Sequence, residues 1–331
     1  MFGLILHIRH WLYDKGILPS FTVDIPTICV GNLAVGGTGK TPHTEYLIRL
    51  LSPQYKVAVL SRGYKRKTRG FVLADDNSTA ATIGDEAMQI HRKFPDVAVA
   101  VCEHRVHGVH QLQRMVPDVQ IVILDDAMQH RSLRCGFTIL LTAENNLYIY
   151  DRLLPFGRLR DLKQRSLAAQ AIVVTKCPIN MKPIDKRVID NRLHLPAYQH
   201  LYFSHVVYEP IEVMGTKPLV VCGIAHPEEF FKHVKEQFPK AELLAFADHH
   251  RFTKADEQRI VEAAKKHDCI LTTEKDYERL ILTHLPNELK EQIRPVPIRV
   301  DLDAKQEEEL KRQLGAYIKE ELKHLNKNKK A

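Results

Sequence analysis

The chain has 331 residues, of which 44% are hydrophobic and 27% charged. These are the proportions of an ordinary globular protein with room for two cores, and they exclude a disordered or fibrous chain. The net charge of +8 calls for an anionic partner: nucleic acid, a membrane face or a phosphorylated substrate. Basic residues concentrate at 62–69, 158–165 and 323–330, the last explained equally well as a solvated tail. No RNA-recognition or helix-turn-helix signature is present, so no nucleic acid is expected. The six cysteines lack C-x-x-C spacing and mostly lie in apolar runs. They read as small buried hydrophobes in a reducing compartment, with no zinc site.

Residues 1–13 are apolar and aromatic, interrupted by His7, Arg9 and His10. The run is too short and too charged to span a bilayer, which takes about 20 apolar residues. No small-residue cleavage site follows, so a signal peptide is not expected. Residues 1–20 read as a membrane-interface helix, with Trp11 at headgroup depth and Arg9 toward lipid phosphate. A helix capping the domain core is the alternative.

A short apolar run at 27–30 leads into Gly31-Asn32-Leu33-Ala34-Val35-Gly36-Gly37-Thr38-Gly39-Lys40-Thr41, and helical spacing follows at 44–51. Strand, glycine loop, helix is the setting of a phosphate-binding loop. Backbone N–H groups of Ala34, Val35, Gly36, Gly37, Thr38 and Gly39 would wrap a polyphosphate at the helix N-terminus. Lys40 would reach its outer phosphates, and Thr41 would hold Mg²⁺. Pro42 is tolerated because the first helical turn has no intrahelical N–H bond to lose. Ala34 stands where the usual motif has its first glycine. A nucleotide and Mg²⁺ are the expected ligands of this loop.

Apolar β-branched runs recur at 56–60, 97–101, 120–124, 137–141 and 171–175, with helical stretches such as 86–93 and 104–115 between them. This alternation predicts a P-loop NTPase-type α/β domain over 21–195, its mainly parallel sheet covered on both faces. The aromatic stretch 200–208 has no helix nearby and reads as part of an extended linker, 196–217. A smaller α/β domain is expected over 218–331. Its strands fall at 218–221, 243–247 and 269–272, its helices at 228–238 and 254–266. A return strand at 294–302 and an amphipathic closing helix at 307–324 complete it.

The strand at 120–124 ends in Asp125-Asp126, which is how phosphate-loop enzymes bring a carboxylate to Mg²⁺. Asp125 is the better metal ligand, with Asp126 serving the metal or orienting a neighbour. Gly84-Asp85-Glu86 opens a helix, so Asp85 is either an N-cap or a general base. Asp248-His249-His250 follows a strand of the second domain, as a surface loop or as a pair facing the phosphate loop across a cleft. Arg62 and Arg105 sit just past strand ends, suited to bidentate phosphate recognition.

Taken in order, the Gly31–Pro42 loop, Ser61-Arg62-Gly63-Tyr64, Gly84-Asp85-Glu86, Leu124-Asp125-Asp126 with Gln129-His130, Asp248-His249-His250 and Thr272-Thr273-Glu274-Lys275-Asp276 resemble the tetraacyldisaccharide 4'-kinase family of Gram-negative bacteria. Gly223-Ile224 followed by Pro227-Glu228 and Phe230-Phe231 fits the same family, over about residues 25–280. The resemblance implies an inner-membrane-associated kinase facing the cytoplasm. It would move the γ-phosphate of ATP to the 4'-hydroxyl of a tetraacylated glucosamine disaccharide 1-phosphate, giving lipid IVA. It also implies Asp85 as base, assisted by His249, and an N-terminal segment in contact with the membrane. The expected partners are therefore the acylated disaccharide substrate and an anionic membrane surface, with no obligate protein partner. Ala127-Met128 departs from the Gly-Phe usual in the family. A metal-delivery or protein-targeting GTPase is the alternative. Thr175-Lys176 resembles the start of a guanine-reading motif, but Pro178 occupies the position that needs aspartate.

Overall fold

The computed structural model describes residues 2–213, 215–225, 227–248, 250 and 252–328. Helix α1 (Phe2–Asp14) precedes β1 (Thr27–Asn32), α2 (Lys40–Leu51), β2 (Val57–Ser61) and β3 (Val72–Leu73). Then come α3 (Ala80–Ile83), α4 (Asp85–Lys93), β4 (Ala98–Val101), α5 (Arg105–Met115), β5 (Ile121–Asp125) and β6 (Phe137–Ala143). Strand β7 (Ala171–Thr175), α6 (Pro183–Leu193) and β8 (His200–Tyr208) follow. The second unit holds β9 (Leu219–Cys222), α7 (Pro227–Gln237), β10 (Glu242–Ala245), α8 (Lys254–Ala264), β11 (Ile270–Thr273), α9 (Glu274–Leu280), α10 (Asn287–Lys290) and β12 (Ile293–Val296). Strand β13 (Ile298–Leu302) and helix α11 (Ala304–Asn328) close the chain.

The larger sheet is nine-stranded, in the order β13-β8-β7-β6-β1-β5-β2-β4-β3. Its neighbours are parallel except at the two edges, where β13 meets β8 and β3 meets β4 antiparallel. Both faces are covered, so the central strands are apolar throughout rather than alternating. In β1, Ile28 and Val30 enter one core with α2, α4 and α11, while Cys29 enters the other. The smaller sheet, β10-β9-β11-β12, is parallel throughout. Successive residues of β9 supply its two cores: Leu219 and Val221 on one face, Val220 and Cys222 on the other.

Three parts of the expected domain division are corrected. The 200–208 stretch is no linker: as β8 it pairs parallel with β7, and Tyr202 and Phe203 are buried. The return strand at 294–302 is two strands in different sheets, separated at Pro297. Proline there offers no N–H to a ladder, while its carbonyl accepts from Glu209 N at 3.0 Å. Helix α11 packs its Leu310, Leu314 and Ile318 into the core of the larger sheet, beside Ile28 and Val30. The smaller unit is thus inserted between β8 and β13 of the larger one.

Helix α1 lies against the larger domain. Arg9 Nη2 donates to Gln129 O at 2.9 Å, and Arg131 bonds His10 O and Asp14. Buried His10 pairs with Asp161 at 2.5 Å. Leu4, Ile5, Ile8 and Trp11 face outward. Among the described residues no helix is long and apolar enough to cross a membrane.

Candidate active site

The site forms at the carboxyl ends of β1, β5 and β2, where the N-termini of α2 and α4 also point. The 33–39 loop turns on Gly36 and Gly39, at φ 104° and 84°, a region that side chains other than glycine rarely adopt. The loop is backed rather than free. Ala34 bridges Leu159, and Val35 N donates to Arg158 O at 2.7 Å. Asn32 Nδ2 donates to Thr38 Oγ1 at 2.7 Å. Helix α2 has no side-chain cap at Gly39, so its first amides are available to an anion. Lys40 and Thr41 occupy its first turn.

Asp125 ends β5 and is almost wholly buried, its Oδ1 accepting from Thr44 Oγ1 at 3.2 Å. Burial, then the charges of Glu86 and Asp126, push its carboxyl up to about 7 against the pull of Lys40. Asp126 takes a left-handed backbone, φ 51°, a region that aspartate enters more readily than most residues with a side chain. Burial alone would raise its carboxyl too, but Lys40 and Arg160 hold it below the ordinary value. Lys40 Nζ lies 3.9 Å from Asp126 Oδ2. Arg160 clasps both Asp126 oxygens and donates to Asn32 Oδ1, tying the strand-end acid to the phosphate loop.

Asp85 is the first residue of α4, while Gly84 is the capping residue, so the N-cap reading is not met. Gly84 has φ 90°, and a Cβ there would lie 3.0 Å from Tyr64 O. The glycine therefore lets the Ser61–Tyr64 turn pack against the start of α4, joining two motifs distant in sequence. Asp85 is buried, its Oδ1 accepting from Glu86 N at 3.1 Å. Glu86 forms an ion pair with Lys275 at 3.0 Å. Burial would raise the Glu86 carboxyl, but Lys275 and then Lys40 bring it below its usual value.

Arg62 is exposed at the end of β2, on the edge expected of a substrate contact. Arg105 is not placed as expected. It is 0% exposed, donating from Nη1 to Cys102 O, with Nε and Nη2 lacking hydrogen-bond partners. Its buried guanidinium lies in the field of Asp125 and Asp126. The cause is the close seating of α5: a Cβ at Gly108 would stand 2.8 Å from Leu60 Cδ2. His249 lies outside the described residues. Its neighbour His250 bonds Asp256 Oδ2 at 2.8 Å.

Sequence reasoning missed Thr44, Glu86, Arg160 and Lys275 as site residues. Arg160 was visible only as charge within 158–165, and Lys275 only as part of an ordered motif without assigned chemistry.

The sequence profile of the tetraacyldisaccharide-1-P 4'-kinase family matches residues 1–319. The chain is 43% identical over 349 aligned positions to a tetraacyldisaccharide 4'-kinase of Bacteroides thetaiotaomicron, covering 97% of this chain and 91% of that one. It is 46% identical over 300 positions to the Flavobacterium johnsoniae enzyme of the same name, covering 87% of each. A crystal structure of LpxK from Aquifex aeolicus in complex with ATP superposes with a TM-score of 0.74 at 27% identity, covering 96% of both chains. This chain belongs to the tetraacyldisaccharide-1-P 4'-kinase family.

Proposed function

We propose that this chain transfers the γ-phosphate of ATP to the 4'-hydroxyl of a tetraacylated glucosamine disaccharide 1-phosphate, giving lipid IVA at the cytoplasmic face of the inner membrane. The observation that carries the mechanism is the gathering of Lys40, Asp126, Asp125 and Glu86 at the loop–helix junction, with Asp85 next to Glu86 at the start of α4. Phosphoryl transfer asks for positioning and charge neutralisation more than for covalent chemistry. The loop from Ala34 to Gly39 and the uncapped start of α2 cradle the phosphates, and Lys40 offsets their charge. Asp85 accepts the proton of the sugar hydroxyl, with His249 as the partner that carries it onward.

Mg²⁺ fits this donor set. The oxygens of Thr41, Asp125 and Asp126 are hard ligands, and burial, then the negative charges of Glu86 and Asp126, push Asp125 up to about 7, an environment that a cation would relieve. Among the described residues no three His, Cys, Asp or Glu side chains cluster closely enough to hold a metal unaided, so phosphate oxygens and water would complete the shell. The ion supplies charge neutralisation on the transferring group. Exposed Arg62 suits the anionic sugar headgroup. Buried Arg105 offsets the two aspartates. The GTPase alternative is set aside by the family assignment.

The test is incubation of the full chain with γ-labelled ATP and the disaccharide 1-phosphate lipid in vesicles. Label at the 4' position is expected, and label elsewhere or none removes the proposal. Asp85→Ala should lower kcat by about 100-fold or more, within the range for general-base catalysis, with KM for ATP little changed. An unchanged kcat would take Asp85 out of the role.

A further inference from the structure

Helix α9 of the inserted unit is seated on α4 by charge. Lys93 Nζ meets Glu274 Oε1 at 2.6 Å, Arg92 Nε meets Glu278 Oε1 at 2.7 Å, and Lys275 meets Glu86. One further side chain crosses this boundary in a different way. Arg279 is anchored in its own domain by both terminal nitrogens. Nη2 pairs with Asp276 Oδ1 and reaches Gly223 O at 3.4 Å, and Nη1 donates to His250 O at 3.1 Å. Asp276 is itself fixed, wholly buried and accepting from Gly223 N and Thr273 Oγ1, both at 2.8 Å. The remaining nitrogen, Nε, is shielded from solvent without a hydrogen-bond partner and faces Asp85 Oδ2 at 3.8 Å. A residue serving only its own domain has no need to aim its last donor at the neighbouring domain's carboxylate. The planar guanidinium suits such a task, because fixing two nitrogens fixes the direction of the third.

We propose that Arg279 is a positioning residue for phosphoryl transfer. From the second domain it steadies the Asp85 carboxylate and ties to it, through His250 O, the segment that follows β10. The inference rests on the reading of Asp85 as the base. It adds a reason for the inserted domain: the base is held in place only while α9 is docked on α4.

The experiment measures kcat and KM for ATP and for the lipid with Arg279→Met, Arg279→Lys and the double variant Asp276→Asn/Arg279→Met. The double variant avoids leaving Asp276 as a buried unpaired charge. Each Arg279 change is also built into an Asp85→Asn background. Misplacing a catalytic group by about 1 Å costs on the order of 100-fold. A kcat loss of about that size is expected for Arg279→Met and the double variant, with KM for ATP within about twofold, and with Arg279→Lys recovering part of the rate. In the Asp85→Asn background the same changes should cost little more, because residues acting as one unit are non-additive. Wild-type kcat in a folded double variant overturns the inference, as does an equal loss in both backgrounds. If the methionine variants do not fold, Arg279→Lys decides alone: its kcat must fall several-fold at constant KM, and the same change must cost nothing more in the Asp85→Asn background. Asp85→Asn with wild-type kcat would instead remove the base itself, a result distinct from additive losses.

Discussion

At the scale of single residues, the environment of a side chain matters more than its identity. Asp125 and Asp126 are chemically equal and adjacent. The strand buries the first beside Glu86, while the left-handed turn swings the second toward Lys40 and Arg160, so their carboxyls shift in opposite directions. His43 makes the same point for a base. Its Nδ1 lies 2.7 Å from Gly39 O and its Nε2 2.9 Å from Ser204 Oγ. A carbonyl only accepts, so Nδ1 carries the hydrogen and Nε2 accepts from the serine hydroxyl. Burial pushes its pKa down from 6.5 to about 4. The unfolded chain therefore binds the proton more readily, and this contribution to stability is complete above about pH 6.5 and lost as pH falls toward 4. A shift of this size is worth about 3 kcal/mol at full extent. Urea unfolding of wild type and His43→Asn between pH 7 and 4.5 checks it. Wild type should lose more stability on acidification than the variant, whose asparagine still donates to Gly39 O but does not titrate. Parallel pH profiles for the two proteins would contradict the assignment.

At the scale of elements, α1 reverses the ordinary arrangement. Its inward face carries Leu6 and the His10–Asp161 pair, while Leu4, Ile5, Ile8 and Trp11 face outward, Trp11 at 52% exposure. Those four positions share one helical face, and Phe156 stands at 86% exposure on the 151–164 loop that meets Phe2, Gly3 and His7 around one cavity. An apolar face displayed in this way marks a membrane or partner surface. Trp11 is the chain's single tryptophan, so its emission reports on α1 alone. Anionic vesicles should shift that emission to the blue and sediment the protein, and the double substitution Ile5→Glu/Ile8→Glu should abolish both effects. An unmoved spectrum at high lipid would exclude insertion of this face. Elements of this kind also show what a sequence discloses. The phosphate loop was legible because strand, glycines and helix are contiguous and their chemistry is local. The strand β8 was misread because α6, the crossover helix linking it to β7, went unrecognised, and because its other partner, β13, lies beyond the inserted domain. Pairing over such distances leaves no periodic mark in the strand itself. Thr272–Asp276 was visible as a motif, but its role became legible only once α9 was docked on α4.

At the scale of the whole molecule, the chain leaves the larger sheet after β8, builds a four-stranded unit and returns at β13. Departure and return are neighbours, with Tyr208 opposite Ile298 in the antiparallel ladder. The inserted domain therefore hangs from a paired crossing, and its other attachment beside the cleft is the set of ion pairs between α9 and α4. The return is locked by α11. Its Tyr317 hydroxyl accepts from Thr27 N at 3.0 Å and donates to Thr27 O at 3.2 Å, while Leu314 is wholly buried among core residues of the larger sheet. A helix at the far end of the chain thus braces the strand that feeds the phosphate loop. Leu314→Ala should cost roughly 2–5 kcal/mol, the usual range for a buried leucine truncated to a cavity. Hydrogen exchange locates the loss. Protection should fall in β1, β6 and α2, whereas β9 and β11 keep theirs, because the inserted unit has cores of its own. If protection fell instead in β9 and β11, α11 would belong energetically to the inserted domain, and the bracing of the phosphate loop by the C-terminal helix would have to be abandoned.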